Sequence, residues 1–499
     1  MYDDYEERKF AFPRLPKQGI ILHLQMENLI VTAVGIVLLL TCVYGTGQGP
    51  LGALIGFPLW FPFVAIGLVT IRSTPLPVIV WREFMFQFRK LRGRNTYVLR
   101  PDVPVLSEMR REGTLLLPGR LQNARLLEAD GIAIVHDAGQ RTATMIATVV
   151  APSFTYAAPR RQDAMVAGLS SVLRGWTLRP GIKRFTQIAR TSTGSVAAER
   201  AHARDRVSSR SSLDEVRESY EEMLTLAGNI VRSHVTEMAI TLDLYALAGQ
   251  IKNSGGGVDG LRRVALLEAE AIQAALRGAG FVRVEWQSPA GIRMSIRSLL
   301  DPVMQPQLME RASRDTEAGV EAGGEAVMYF EEHRDFVRTD SAVHRVFWIG
   351  QLPAFEVRPG LFDSIIFGQL PDGRPVRHIA SITSAPVSIA RAMKRIESSK
   401  KSWIASEGLR QKRNQITSEA DKHEWELLIE QEQALVAGQG EFELSVYIAV
   451  SATDIDELDQ ASSALRTHIS NAGMEPHVLV AQQGEALMMC AIPTGEGLA

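Results

Sequence analysis

The chain is short of the residues that most directly announce chemistry. It holds two cysteines, Cys42 and Cys490, in 499 residues. Cys42 sits in an apolar run, so a disulfide framework is not expected and most of the mass suits a reducing compartment. The ten histidines are scattered and none stands at metal-ligand spacing from another or from a cysteine, so no metal is expected. No GxxxxGK[ST] phosphate loop and no GxSxG elbow occurs, and no cofactor is anticipated. Net charge is lacking too: 54 basic residues against 56 acidic ones leave −2, which gives no bulk attraction to nucleic acid. The chain reads as a non-enzyme.

One absence carries most of the argument. From Asn28 to Ile71 no residue is charged. Leu29 to Tyr44 and Leu51 to Ile71 are apolar runs, and about 20 such residues at ~1.5 Å each cross a bilayer core. The second run meets that length comfortably and the first is marginal. The stretch between them, "GTGQGP", then closes a transmembrane helical hairpin. A cleaved secretory signal does not fit, because the first 27 residues hold five acids against four bases and a second apolar run follows. Arg72 to Arg100 holds seven basic residues and one acid, Glu83, while the turn has none. By the positive-inside rule both termini face the cytoplasm, the turn faces out, and the expected location is the inner (plasma) membrane. The glycines of that turn are expected to bind no phosphate.

Beyond the hairpin, "VIVWREFMFQFRKLRGR" sets Trp81, Phe84, Phe88 and Leu91 at helical spacing beside Arg82, Arg89, Lys90 and Arg92. This describes an amphipathic helix at a membrane surface, with cations near anionic head groups. The lipid bilayer is therefore the first partner expected.

The rest alternates between strand-like and helix-like segments. "NARLLEA", "IAIVHD" and "TATMIATVV" read as strands joined by hairpin turns at "DG" and "AGQ". Helices close at Ala279-Gly280 and Ala472-Gly473 before strands, and Ala151-Pro152 and Ala385-Pro386 read as matched positions at the starts. The expected fold is therefore α+β: a hairpin anchor, then two related halves, each a sheet with helices on one side. The divisions expected are an arm over 1–27, the hairpin over 28–72, a juxtamembrane segment over 73–117 and halves over 118–300 and 301–499.

Two further clusters invite function. "NSGGGVDG", Asn253 to Gly260, lacks the lysine of a phosphate loop and reads as a flexible turn. Arg391 to Arg413 carries eight basic residues and two acids around Trp403, followed by an acidic stretch from Glu419 to Glu432. Opposite charge on consecutive segments suits a self-packing helical hairpin or a subunit contact better than nucleic acid. The candidate partner-contact residues are Arg391, Lys394, Arg395, Lys400, Lys401, Trp403, Arg410, Lys412 and Arg413.

Two family resemblances follow from particular stretches. Val376 to Pro493, with "EWELLIEQEQALVAGQGEFELSVYIAVSATDIDELDQASSALRTHISNAG" and the later "QQGEALMMCAIPTG", resembles the N-terminal, non-motor domain of conjugative type IV secretion ATPases of the TrbE/CagE/TraC class. "FAFPRLPKQGIILHLQMENLIVTAVGIVLLL" resembles the PrgI family of conjugation membrane proteins. The whole chain looks like an actinobacterial family that joins the two. The resemblance implies a membrane scaffold that docks a separate P-loop ATPase and other secretion-channel subunits, with a second copy of the chain as a further candidate partner. No motor motif carries over, so no catalytic residue does. An EccE-like subunit of a type VII secretion machine, and a membrane-anchored enzyme with an unrecognised site, are the alternatives.

Overall fold

Hydrophobic periodicity and backbone breakers divide the chain into elements that build two compact units, residues 14–95 with 480–482 and most of the remainder. The computed structural model describes residues 26–45, 47, 49–71, 74–99, 113–154, 156–193, 196, 199–200, 203, 214–230, 232–314, 324–353, 362–370, 373–412 and 419–492. Most of the N-terminal arm, much of the Ser/Arg-rich stretch, Arg413 and Pro493 lie outside these residues.

In the smaller unit the first apolar run forms α1 (Met26–Gly45). Its Glu27–Gly45 portion is long and apolar enough to cross a membrane. The second run, expected as the better span, is broken. Pro50, Gly56, Pro58 and Pro62 divide it into α2 (Pro50–Ile55) and α3 (Phe57–Leu68). Proline supplies no N–H to the helix ladder, which favours such breaks. The run ends in β1 (Thr70–Ile71), which pairs with β2 (Thr74–Pro75). Helix α4 (Leu76–Leu91) follows. Only α1, among the described residues, has the length of a complete span.

The larger unit is built on one antiparallel sheet of 13 strands. Its first strand is β3 (Thr96–Val98), which pairs with β10 (Tyr329–Glu332). The chain then lays down β4 (Arg125–Ala129), β5 (Ile132–Asp137) and β6 (Thr142–Val150) as a meander. The "DG" turn forms as its residues require: Asp130 and Gly131 have φ of 49° and 76°. Helix α5 (Pro159–Thr177), β7 (Ile182–Thr193), α6 (Asp214–Ile230) and β8 (Arg232–Asp243) come next. Then come α7 (Ala248–Asn253), α8 (Gly257–Gly278), β9 (Arg283–Trp286), α9 (Pro289–Leu300) and α10 (Gln305–Arg314).

With β10 the pattern starts again. It runs β11 (Val337–Arg338), β12 (Val343–Gln351), α11 (Asp363–Ile366), β13 (His378–Val387), α12 (Ile389–Lys412) and α13 (Glu419–Val436). It closes with β14 (Glu441–Ala452), α14 (Ile455–Asn471), β15 (Glu475–Val478), α15 (Gln483–Ala486) and a π-turn over Leu487–Ala491.

From the central pair β7–β13, the order β8, β6, β5, β4 on one side is mirrored by β14, β12, β11, β10 on the other. Strand β9 branches from β6 as β15 branches from β12. Ala279-Gly280 and Ala472-Gly473 do close the helices before β9 and β15. The Ala-Pro match does not hold: Ala151-Pro152 follows β6, whereas Ala385-Pro386 lie inside β13, the counterpart of β7.

Two separate sheets with helices on one side were expected, and the structure corrects both points. The sheet is continuous and both faces are covered. On one face Phe185, Met145 and Ile240 pack beneath α5 and α8, and Phe347, Ile448 and Val450 pack beneath α14. On the other face Ile146, Ile188, Ile379 and Ala449 share one core with Ile292 and Ile296 of α9 and with Leu487 to Ile492. Gln483 fixes that final segment: its Nε2 donates to the Val346 and Leu479 carbonyls and its Oε1 accepts from Val346 N–H.

Two histidines are sealed in the sheet. His344 shares hydrogen bonds with Ser451 at 2.8 Å and Thr339 at 2.9 Å, and His378 Nδ1 donates to the Val376 carbonyl at 2.8 Å. Burial, aided by the Arg377 charge, pushes His344 down to about 3, and burial pushes His378 down to about 4. The unfolded chain takes up these protons first, so their contribution to stability is full above pH about 6.5 and falls as pH drops towards the folded values. Denaturant unfolding of the detergent-solubilised protein between pH 7 and 4 should lose up to about 1.4 kcal/mol per pH unit per histidine. The slope should be shallower in His344→Gln than in wild type, and equal slopes would count against this account.

Candidate functional site: an apolar anchor and a charged helical arm

The sequence singled out α4 and the basic run at 391–413, and the structure gives each a defined surface. On α4, Trp81, Phe84 and Phe88 point outward in a stacked row with centroid separations of 6.1 and 6.4 Å. Lys90 and Arg92 are exposed with them, and the Arg92 guanidinium lies 4.0 Å from the Phe88 ring centroid. Arg82 and Arg89 are half-buried, while Phe86 turns inward and is buried. One side of the helix is thus aromatic and solvent-facing, with cations at its border.

Helices α1 and α3 pack through their smallest residues. A Cβ on Gly67 would lie 2.3 Å from Thr32 Oγ1, one on Gly56 2.4 Å from Cys42 Sγ, and one on Gly35 2.7 Å from Val64 Cγ2. Close backbone approach of this kind holds helices together where no hydrophobic effect drives them. The large side chains of α1, α2 and α3 turn outward instead, with Ile30, Val37, Leu54 and Leu59 all more than half exposed.

Helices α12 and α13 form a two-helix arm between β13 and β14. At its base Val387, Ala392, Ile396 and Leu435 make a small core. Further out Trp403 stacks on Trp425 at 4.5 Å, and Lys400 Nζ meets Glu432 at 2.5 Å. Arg395 pairs with Glu441 and, at 3.0 Å, with Glu443. Lys401 pairs with Glu397 at 2.6 Å, and Arg410 lies 3.8 Å from Glu407. The Lys401 contact holds the exposed Glu397 carboxyl below its ordinary value.

The nine partner-contact residues are therefore divided. Arg395, Lys400 and Trp403 build the arm, whereas Arg391, Lys394, Lys401 and Lys412 are exposed. A shallow depression lined by Met393, Glu432, Gln433, Val436 and Ala437 opens at the base.

The glycine cluster at 253–260 resolves as local structure, and so does the Glu/His segment "FEEHRDF" at 330–336. Gly255, Gly257 and Gly260 have the spacing of a dinucleotide loop, but they run from the α7–α8 turn into the first turn of α8, and a helix rather than a strand precedes them. Arg263 closes that loop by donating to the Ser254 carbonyl at 2.9 Å. In "FEEHRDF", Glu331 accepts from the Tyr329 hydroxyl at 2.5 Å and lies 3.2 Å from His333, which stacks on Phe336. The Tyr329 hydrogen bond holds the Glu331 carboxyl below its ordinary range. Among the described residues no group of three or more His, Cys, Asp or Glu is placed to hold a metal ion.

The comparisons with known proteins add no family. No protein-family model matches the chain, and no curated protein is significantly similar to it. What the coordinates define is an α+β protein with a large antiparallel sheet and an apolar N-terminal helix.

Three substitutions test these surfaces. Gly67→Leu should force α1 and α3 apart and lower the thermal midpoint in detergent, whereas Leu59→Ala on the outer face should not; equal effects would refute the seam. Trp403→Ala should expose the arm to proteolysis and speed amide exchange within 389–436, leaving exchange in β7 and β13 unchanged. Unaltered arm protection would remove the stacked pair as its clamp.

Proposed function

We propose that this chain is an inner-membrane scaffold of a conjugative, type IV-like secretion machine, docking a separate ATPase and other channel subunits without hydrolysing nucleotide itself. The observation that carries the reading is the presence, in one chain, of outward-facing apolar helices in the N-terminal unit and a charged helical arm on a large α+β body. The sequence resemblances to secretion-ATPase N-terminal domains and to PrgI supply the kind of machine.

In this reading α1 crosses the bilayer once and α2 with α3 cross it again. Pro50 to Leu68 would extend roughly 28 Å if followed as one helical path. Both termini then lie in the cytoplasm. Trp81, Phe84 and Phe88 enter the interface, with Lys90 and Arg92 close to anionic head groups. The matching strand orders of the two halves support a duplicated body. The exposed cations of α12 serve as a contact for neighbouring subunits of the machine.

Affinity purification from membranes solubilised in mild detergent, with a tag on Ala499, tests the reading. A P-loop ATPase in near-stoichiometric amount is expected, and the protein itself should show no nucleotide hydrolysis. Recovery without any ATPase in several mild detergents would overturn the assignment. Cysteines introduced at Gly47 and at Gly438 should be labelled from opposite sides of the membrane; labelling from one side would defeat the hairpin topology.

A further inference from the structure

The repeated strand order exposes a difference between the halves. Helix α6 runs back into β8 as α13 runs back into β14, so the two hold corresponding places beside the central pair. Both are acidic: α6 carries five acids against Arg217, and α13 carries six against Lys422. Helix α13 is covered by the basic α12, through Lys400–Glu432 and the Trp403–Trp425 stack.

Helix α6 is seated by Leu224, which is 4% exposed. Arg200 holds Glu221 and Thr225 at 3.1 and 3.0 Å. Val216, Tyr220 and Met223, spaced four and three residues apart, nevertheless face outward at 58, 40 and 50% exposure. Leu226 extends the stripe, and Glu215 and Glu222 border it.

The complementary surface is on α12. Opposite the side that carries Ala392, Ile396 and Trp403 lie Lys394, Lys401 and Lys412, around Ala405 and Gly408. A Cβ at Gly408 would meet nothing within 4 Å, so this face can receive bulky side chains. The lengths are compatible: α12, at about 36 Å, is long enough to receive the whole of α6, at about 25 Å.

The two surfaces of one copy are poorly placed to meet. Thr191 near the end of β7 pairs with His378 at the start of β13, and Ser384 near the end of β13 pairs with Phe185 near the start of β7. The connections carrying α6 and α12 therefore leave the central pair from opposite ends. Two α6 surfaces would repel each other by like charge, as would two α12 surfaces.

We propose that the apolar, acidic stripe of α6 docks along the basic outer face of α12 in a second copy of this chain. The contact joins different patches on the two copies. Successive copies therefore close into a ring or extend as a filament. The proposal rests on α12 being a subunit contact and is independent of which ATPase binds.

Light scattering coupled to size exclusion, on the full chain in detergent, tests it. Wild type should exceed single-copy mass in a concentration-dependent way. Tyr220→Asp with Met223→Asp, and separately Lys394→Glu with Lys412→Glu, should weaken association by about tenfold or more. Circular dichroism and the thermal midpoint should stay at wild-type values for these surface changes. Glu215→Lys with Glu222→Lys should also fail to assemble alone, yet co-assemble with the Lys394→Glu, Lys412→Glu protein. Single-copy wild-type mass at every concentration, or assembly indifferent to both sets of changes, would overturn the proposal. ATPase recovery is scored separately. Its absence alongside intact assembly defeats the secretion reading alone, and its presence with single-copy mass defeats the self-docking alone.

Discussion

Seven consecutive residue pairs between β7 and β13, from Phe185–Ser384 to Thr191–His378, hold the body together. Without them each half would present an unpaired central edge, with a row of backbone groups needing partners. With them, two five-strand orders merge into one sheet. Thr186 and Thr383 reinforce the seam by a side-chain hydrogen bond of 3.1 Å within the core. The two faces then diverge in character. Each half keeps its own helices on one face, but the other face is a single core to which both contribute. Damage to that shared core should be felt on both sides of the seam, because the same Leu487–Ile492 segment fills it.

The antiparallel sense of the central pair also decides where the charged elements emerge. A strand that ends beside its neighbour's beginning sends its connection away from that neighbour's connection. The long insertions after β7 and β13 are therefore segregated rather than bundled. Charge within the second of them is largely internal, since Lys400 and Arg395 are consumed in ion pairs with partners on α13 and β14. Half-buried at the arm's edge, such pairs still meet solvent and each contributes little stability individually. The Trp403–Trp425 stack and the small core around Ile396 provide the arm's firmer contacts. What is left on the outside is a narrower cationic strip than the sequence suggests.

Legibility followed the range of the interaction. Local chemistry was readable: Asp130-Gly131 named its turn, Asp454 accepts from the Glu457 N–H as a helix cap should, and the two Ala-Gly helix ends came out as read. The apolar character of 28–71 was plain, but not how Gly56 and the three prolines would partition it. Hydropathy reports composition and is nearly blind to backbone breaks. The β7–β13 pairing joins residues about two hundred positions apart and has no local signal. The buried network of Arg190, Glu237 and Gln287, with contacts of 2.9 and 2.7 Å, was equally hidden because charges in strands ordinarily mark a solvated face. The π-turn at Leu487–Ala491 showed itself only as a short apolar run. The partner strip on α12 was half legible: residue types were evident, but which ones faced inward depended on a helix that had yet to pack.

The core segment at 483–492 has a consequence for biogenesis. Every strand of the sheet precedes it in the chain, and α1 precedes every strand. During translation the shared face of the sheet thus stays incompletely sealed until these residues have left the ribosome, when Gln483 can clasp Val346 and the following side chains can fill the gap. One particular face of the nascent body therefore stays apolar and uncovered longest, so its exposure to aggregation is set by elongation time as much as by equilibrium stability.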